Sequence, residues 1–129
     1  SIQAFMLFPK IREIDAFLRA DRSEAGRIIE SHPEFAFTVL NGGAPMALPK
    51  KIKGRINPPG MDERRNLLAR HGIPAPFLGQ SPPKGAAADD FLDACAMLLI
   101  ADRHAAGLTR PHPEPLVRDS SSLPIAIWA

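Results

Sequence analysis

Fourteen prolines interrupt this chain of 129 residues, and each fixes its own φ and removes a backbone donor. Helices and strands must therefore be short or start at a proline. Most of the prolines gather in residues 57–83 and 111–124, which predicts compact elements joined by Pro-rich connectors. A hydrophobic content of 45% suits one soluble globular unit, residues 1–129, with a modest core.

Apolar spacing places the elements. Phe5, Leu7, Phe8, Ile11, Ile14, Phe17 and Leu18 recur at threes and fours, so residues 2–18 are expected to form an amphipathic helix in which Pro9 makes a kink or a join. Residues 21–26 read as a turn, and 27–30 as a short strand built on Ile28 and Ile29. Ser31 and Glu34 have the spacing of a capping box around Pro33, opening a helix that stops at Asn41, Gly42 and Gly43. Residues 44–60 are expected to be a basic loop, 61–71 a short helix with Leu67 and Leu68 inward, and 73–87 a Pro-rich connector. Residues 88–106 should form a long helix, closed by Gly107, and 125–128 a closing strand. Ser1 is not a methionine and stands within a helical pattern, so the chain is expected to be part of a longer protein.

Net charge is only +2, too small to mark a nucleic-acid binder, but its distribution is uneven. Between Lys50 and Arg70, seven basic residues (Lys50, Lys51, Lys53, Arg55, Arg64, Arg65, Arg70) face two acidic ones, Asp62 and Glu63. Between Lys84 and Arg103 the balance reverses, with Asp89, Asp90, Asp93 and Asp102 against two basic residues. A single cysteine, Cys95, excludes an intrachain disulfide and a thiolate-rich zinc site, which makes a cytoplasmic setting the default. No apolar run approaches the roughly 20 residues that span a bilayer, so no membrane partner is expected. Walker, Rossmann and Ser-His-Asp patterns are absent.

Asp89, Asp90 and Asp93 open this long apolar helix and fall within one arc of roughly 100°. Three arrangements account for them: stabilisation of the helix dipole, pairing with a buried arginine or lysine, or binding of Mg²⁺ or Mn²⁺, hard ions that take oxygen ligands. Dipole stabilisation suits Asp89 and Asp90 better than Asp93, one turn further in. Lys10 and Arg12 are available as pairing partners.

Five ordered blocks, "PKIREIDAFLRA", "IIESHPEFAFTVLNGG", the "KK" of Lys50 and Lys51, "DDFLDACA" and "RDSSSLPIAIWA", resemble the C-terminal part of domain of unknown function family 429, predicted RNase H-like nucleases. The likeness covers nearly the whole chain, apart from a Pro-rich departure around residues 56–61. It implies an α/β fold, here a partial RNase H-like one: a mainly helical C-terminal half with one or two short strands. It also implies Asp90 and Asp93 as leading ligands of Mg²⁺ or Mn²⁺, Asp89 as a third, and Glu30 as a mid-domain acid serving as ligand or base. His32 and Glu34 would support Glu30 or move protons, and Lys50, Lys51, Lys53 and Arg55 would grip nucleic-acid phosphates. The family's N-terminal Gly-rich strand, with its first catalytic aspartate, has no counterpart. Asp119 matches the family ending without an assigned role.

The expected function is therefore that of a metal-dependent nuclease cleaving phosphodiester bonds, incomplete in this chain. Its apolar faces would be covered by the missing N-terminal half or by a second copy. The alternatives are a non-catalytic RNase H-like module that binds protein or nucleic acid, in which the aspartates serve helix capping and internal pairing, and a different metal-dependent phosphoesterase.

Overall fold

Leu92, Ala96 and Ile100 are spaced by four residues, share one face of a helix and are all buried. In the computed structural model, which describes residues 2–21 and 23–129, that helix is α5 (Ala88–Ala105). It packs on α2 (Pro33–Leu40) through Ala36, Phe37 and Leu40, and on α3 (Pro58–Arg70) through Met61, Leu67 and Leu68. These side chains make one buried cluster, closed at its side by Leu78 of α4 (Ala75–Leu78) and at its end by Ala129. The predicted helix stops hold, since Gly42 (φ 71°) and Gly43 (φ 89°) after α2 and Gly107 (φ 71°) after α5 adopt the left-handed conformation, as Gly72 (φ 96°) does after α3.

Among the described residues the fold is mixed, with helices and two small antiparallel sheets. In the first, β1 (Lys51–Ile52) and β2 (Arg55–Ile56) form a hairpin within the segment expected to be a basic loop. Lys53 (φ 49°) and Gly54 (φ 75°) both have positive φ, as the two-residue turn best matched to strand twist requires. Helix α3 also starts earlier than expected, because Pro58 and Pro59 occupy its first turn, where no backbone donor is needed. The 73–87 connector holds the short α4.

The second sheet pairs β3 (Pro111–Arg118) with β4 (Pro124–Trp128). The closing strand was expected, whereas its partner is hidden by prolines. Arg110 and Ala129 exchange backbone bonds at 2.9 and 3.3 Å, so Pro111, one residue on, turns its missing N–H to the outer edge. Asp119 shapes the connecting turn: its Oδ1 accepts the N–H groups of Ser121 and Leu123 at 2.8 Å each.

Three local expectations need correction. Residues 27–30 are not a strand, because among the described residues their tie to β4 is one bond, from Trp128 N–H to the Glu30 carbonyl at 2.8 Å, with no ladder. Ser31 and Glu34 do not form a capping box. The helix cap is His32, Ser31 Oγ donates instead to the Trp128 carbonyl at 2.7 Å, and the Glu34 carboxylate is engaged elsewhere. Helix α1 (Ile2–Ala20) runs through Pro9 as one element with no join there, and its apolar face is not inward: Phe5, Met6, Leu7, Phe8, Ile11, Ile14 and Phe17 are exposed. The turn at 21–26 includes Arg22, which like Ser1 lies outside the described residues; Glu24–Gly26 form one 3₁₀ turn. No helix among the described residues is long and apolar enough to cross a membrane.

Candidate metal centre

The buried stripe of α5 begins one turn before Leu92, at Asp89. Helical spacing therefore carries a carboxylate into the core side, and the Asp89 side chain is only 4% exposed. Asp90 stays exposed, and its Oδ2 accepts the backbone N–H of Ala87 at 3.3 Å, half of a capping arrangement. Asp93 is half-buried one turn on. Each of the three offers an oxygen within 4.8 Å of the others. The single carboxylate face expected from the sequence is present.

Two lysines from the start of the hairpin meet these acids. Lys50 Nζ lies 2.6 Å from Asp93 Oδ2, and Lys51 Nζ lies 2.6 Å from Asp89 Oδ2. The pairing partners are thus Lys50 and Lys51, not Lys10 and Arg12; Lys10 stands beside Glu13 on α1, 3.8 Å away. Burial by itself raises the Asp89 carboxyl, but the bond and charge of Lys51 outweigh it and hold Asp89 below its ordinary value. The same bond raises the Lys51 ammonium above its own. The lysines cover one oxygen of each acid. Among the described residues, Asp89 Oδ1 and Asp93 Oδ1 are buried and find no hydrogen-bond partner, and leaving such an oxygen unsatisfied costs about 1–3 kcal/mol.

Glu34 completes the group from α2. Its Oε1 lies 3.5 Å from Lys50 Nζ, and its Oε2 accepts from Arg64 Nη2 at 2.8 Å. Of the two acids in the "ESHPE" block, Glu34 reaches the aspartates through Lys50. Glu30 lies apart, exposed in a groove lined by Ile11, Ile14 and Leu18 of α1 and by Ala126 and Trp128 of β4. His32 is exposed at the cap of α2, and Lys53 and Arg55 are exposed on the hairpin.

Arg64 is the residue that charge counting misplaced. It belongs to the basic stretch by composition, yet it is 2% exposed and reaches the carbonyls of Leu48 (2.9 Å) and Gly60 (3.0 Å) as well as Glu34. Its guanidinium also lies 5.3 Å from the centre of the Phe37 ring. Its position in the series Gly60, Met61, Arg64, Leu67, Leu68 is the signal that could have found it, because that spacing marks the buried face of α3.

The donor set fits a hard divalent ion. Carboxylate oxygens are the ligands such ions take, and two of them are buried here without a partner. No curated protein and no solved structure matches the chain. The model of the family described as Protein of unknown function (DUF429) matches residues 1–118, nearly the entire sequence, and the chain belongs to that family.

Proposed function

We propose that this chain carries the acidic wall of a divalent-cation site in a phosphodiester-cleaving nuclease of RNase H-like type. The observation that carries the reading is the pair of buried, unpartnered oxygens on Asp89 and Asp93, within a cluster whose three carboxylates reach one another. Asp89 and Asp93 would hold Mg²⁺ or Mn²⁺, with Asp90 at the solvent side. A bound ion supplies charge stabilisation at the leaving oxygen of a phosphodiester.

The rest follows from the chain's own side chains. Arg64 fixes Glu34, and Glu34 holds the far side of Lys50. Lys50 and Lys51 meet the acids, and Lys53 and Arg55 follow, exposed, on the same hairpin, side chains suited to the phosphate oxygens of a nucleic acid. Glu30 and His32 have no part in this grouping. The exposed apolar residues of α1 call for a protein surface to cover them, from a second copy or a further segment.

A second reading has an observation in its favour. Both lysines sit at 2.6 Å from their aspartates, as they would in a non-catalytic module that keeps its acids for internal pairing. Mn²⁺-dependent cleavage of labelled single-stranded, duplex and branched DNA and RNA separates the two, with Asp93→Asn run in parallel. Cleavage that disappears in the variant supports the nuclease. A folded chain that neither binds Mn²⁺ nor cleaves, and whose variant loses only stability, supports the module.

A further inference from the structure

Lys50 and Lys51 do something unusual for neighbours in sequence: each ammonium is committed to a different aspartate of the same helical turn. We propose that the two lysines are resident counter-ions, which a divalent cation displaces from Asp93 and Asp89, and that the released ammonium groups then hold a phosphate group beside the ion. The inference rests on the cation-site reading above and adds the order in which the site fills.

Three features support it. Each lysine engages Oδ2 of its aspartate and leaves Oδ1 buried and bare, so the acids are neutralised without being saturated. A lysine ammonium is a compact charge on a flexible stem, which makes it easier to displace than a forked guanidinium. Lys50 has a second acceptor in reach, Glu34 Oε1 at 3.5 Å, and Glu34 is held from behind by buried Arg64. Lys51 is partly exposed and can turn to solvent.

Charge then selects the next ligand. Among the described residues, four carboxylates (Glu34, Asp89, Asp90, Asp93) face three cations (Lys50, Lys51, Arg64) in this group. Addition of a divalent ion turns a slightly negative site into a slightly positive one with two ammonium groups released from the aspartates. A phosphate suits it, because its oxygens serve both a hard cation and ammonium donors. Cation and phosphate should consequently bind with positive coupling.

The test is calorimetric titration of Mn²⁺ into the full chain, as wild type, Lys50→Gln, Lys51→Gln and the double variant, with and without inorganic phosphate. Removal of either lysine should tighten Mn²⁺ binding about tenfold by lifting a competing charge. Phosphate should tighten Mn²⁺ binding in the wild type and lose that effect in the double variant. Unchanged or weaker Mn²⁺ affinity in lysine variants of native circular dichroism overturns the displacement. Mn²⁺ uptake that Asp93→Asn abolishes but the lysine variants leave unaltered retires the lysine role alone, whereas no uptake by any of these proteins ends the cation-site reading too. If the variants fail to fold, Mg²⁺ titration of the wild type with NMR detection of its lysine side chains decides: Lys50 and Lys51 signals that stay fixed at saturation overturn the proposal.

Discussion

Arg64 Nη2 donates to Glu34 Oε2 at 2.8 Å, linking the buried face of α3 to the acid that flanks Lys50. The bond joins unequal environments, since the Arg64 side chain is 2% exposed and that of Glu34 42%. Arg64 is thus the fixed member, and it sets where Glu34, and through it Lys50, can stand.

Arg64→Met should destabilise the fold by about 3 kcal/mol in urea unfolding, the low end for breaking a buried ion pair. The low end applies because Glu34, with its side chain 42% exposed, can turn to water. Arg64→Lys should recover less than half of the loss, because one ammonium cannot serve Leu48, Gly60 and Glu34 in the forked geometry. Wild-type stability in Arg64→Met would mean that the network contributes nothing to the fold.

Gly60→Ala is expected to destabilise, against the helix preference for alanine of about 1 kcal/mol. A Cβ at Gly60 would stand 2.2 Å from the Pro49 carbonyl oxygen and 2.8 Å from its carbon, and both are backbone atoms. The chain around Pro49, already fixed by Asn57 Nδ2 at 2.8 Å, must move. A loss of about 1–3 kcal/mol follows from such overpacking. Because Lys50 is the next residue, Mn²⁺ affinity should change in the same variant. A melting temperature at or above that of the wild type would show that the close approach is not a constraint.

The elements differ in how plainly the sequence announces them. Helix α5 and its three aspartates are legible because a 3.6-residue period fixes both the buried stripe and the acids' common face. Strand β3 is obscured because Pro111, Pro113 and Pro115 read as a connector, and only the pairing with β4 shows that Pro111 faces an open edge. Lys50 and Lys51 look like solvated or phosphate-facing charges until tertiary structure lays the hairpin beside α5. The separation of Glu30 from Glu34 is equally a tertiary fact, since four residues of chain turn one toward the groove beside α1 and the other toward Arg64.

Helix α1 contributes little packing to the body, so its apolar residues should be dispensable for stability. Phe8→Ser combined with Ile11→Ser should shift unfolding by no more than about 0.5 kcal/mol, as exposed substitutions generally do. The same variant should reduce self-association measured by sedimentation, because the exposed apolar surface shrinks. A large loss of stability would place α1 in the core.

Cys95 lies in the buried stripe of α5, and burial raises its thiol above the ordinary value of 9.0. The folded state therefore favours the neutral thiol, and the sign of the pH effect follows. The contribution of Cys95 to stability is complete below the thiol's unfolded value and is lost as pH rises through its higher folded one. Cys95→Ala should cost about 1 kcal/mol near neutral pH by loss of buried area, and the deficit relative to the wild type should shrink at pH values above about 9. Thiol reagents should label the native protein roughly 100-fold more slowly than the unfolded chain, because reaction requires opening of α5. Rapid native labelling, with a deficit that does not depend on pH, would mean that the α5 stripe is open to solvent at Cys95.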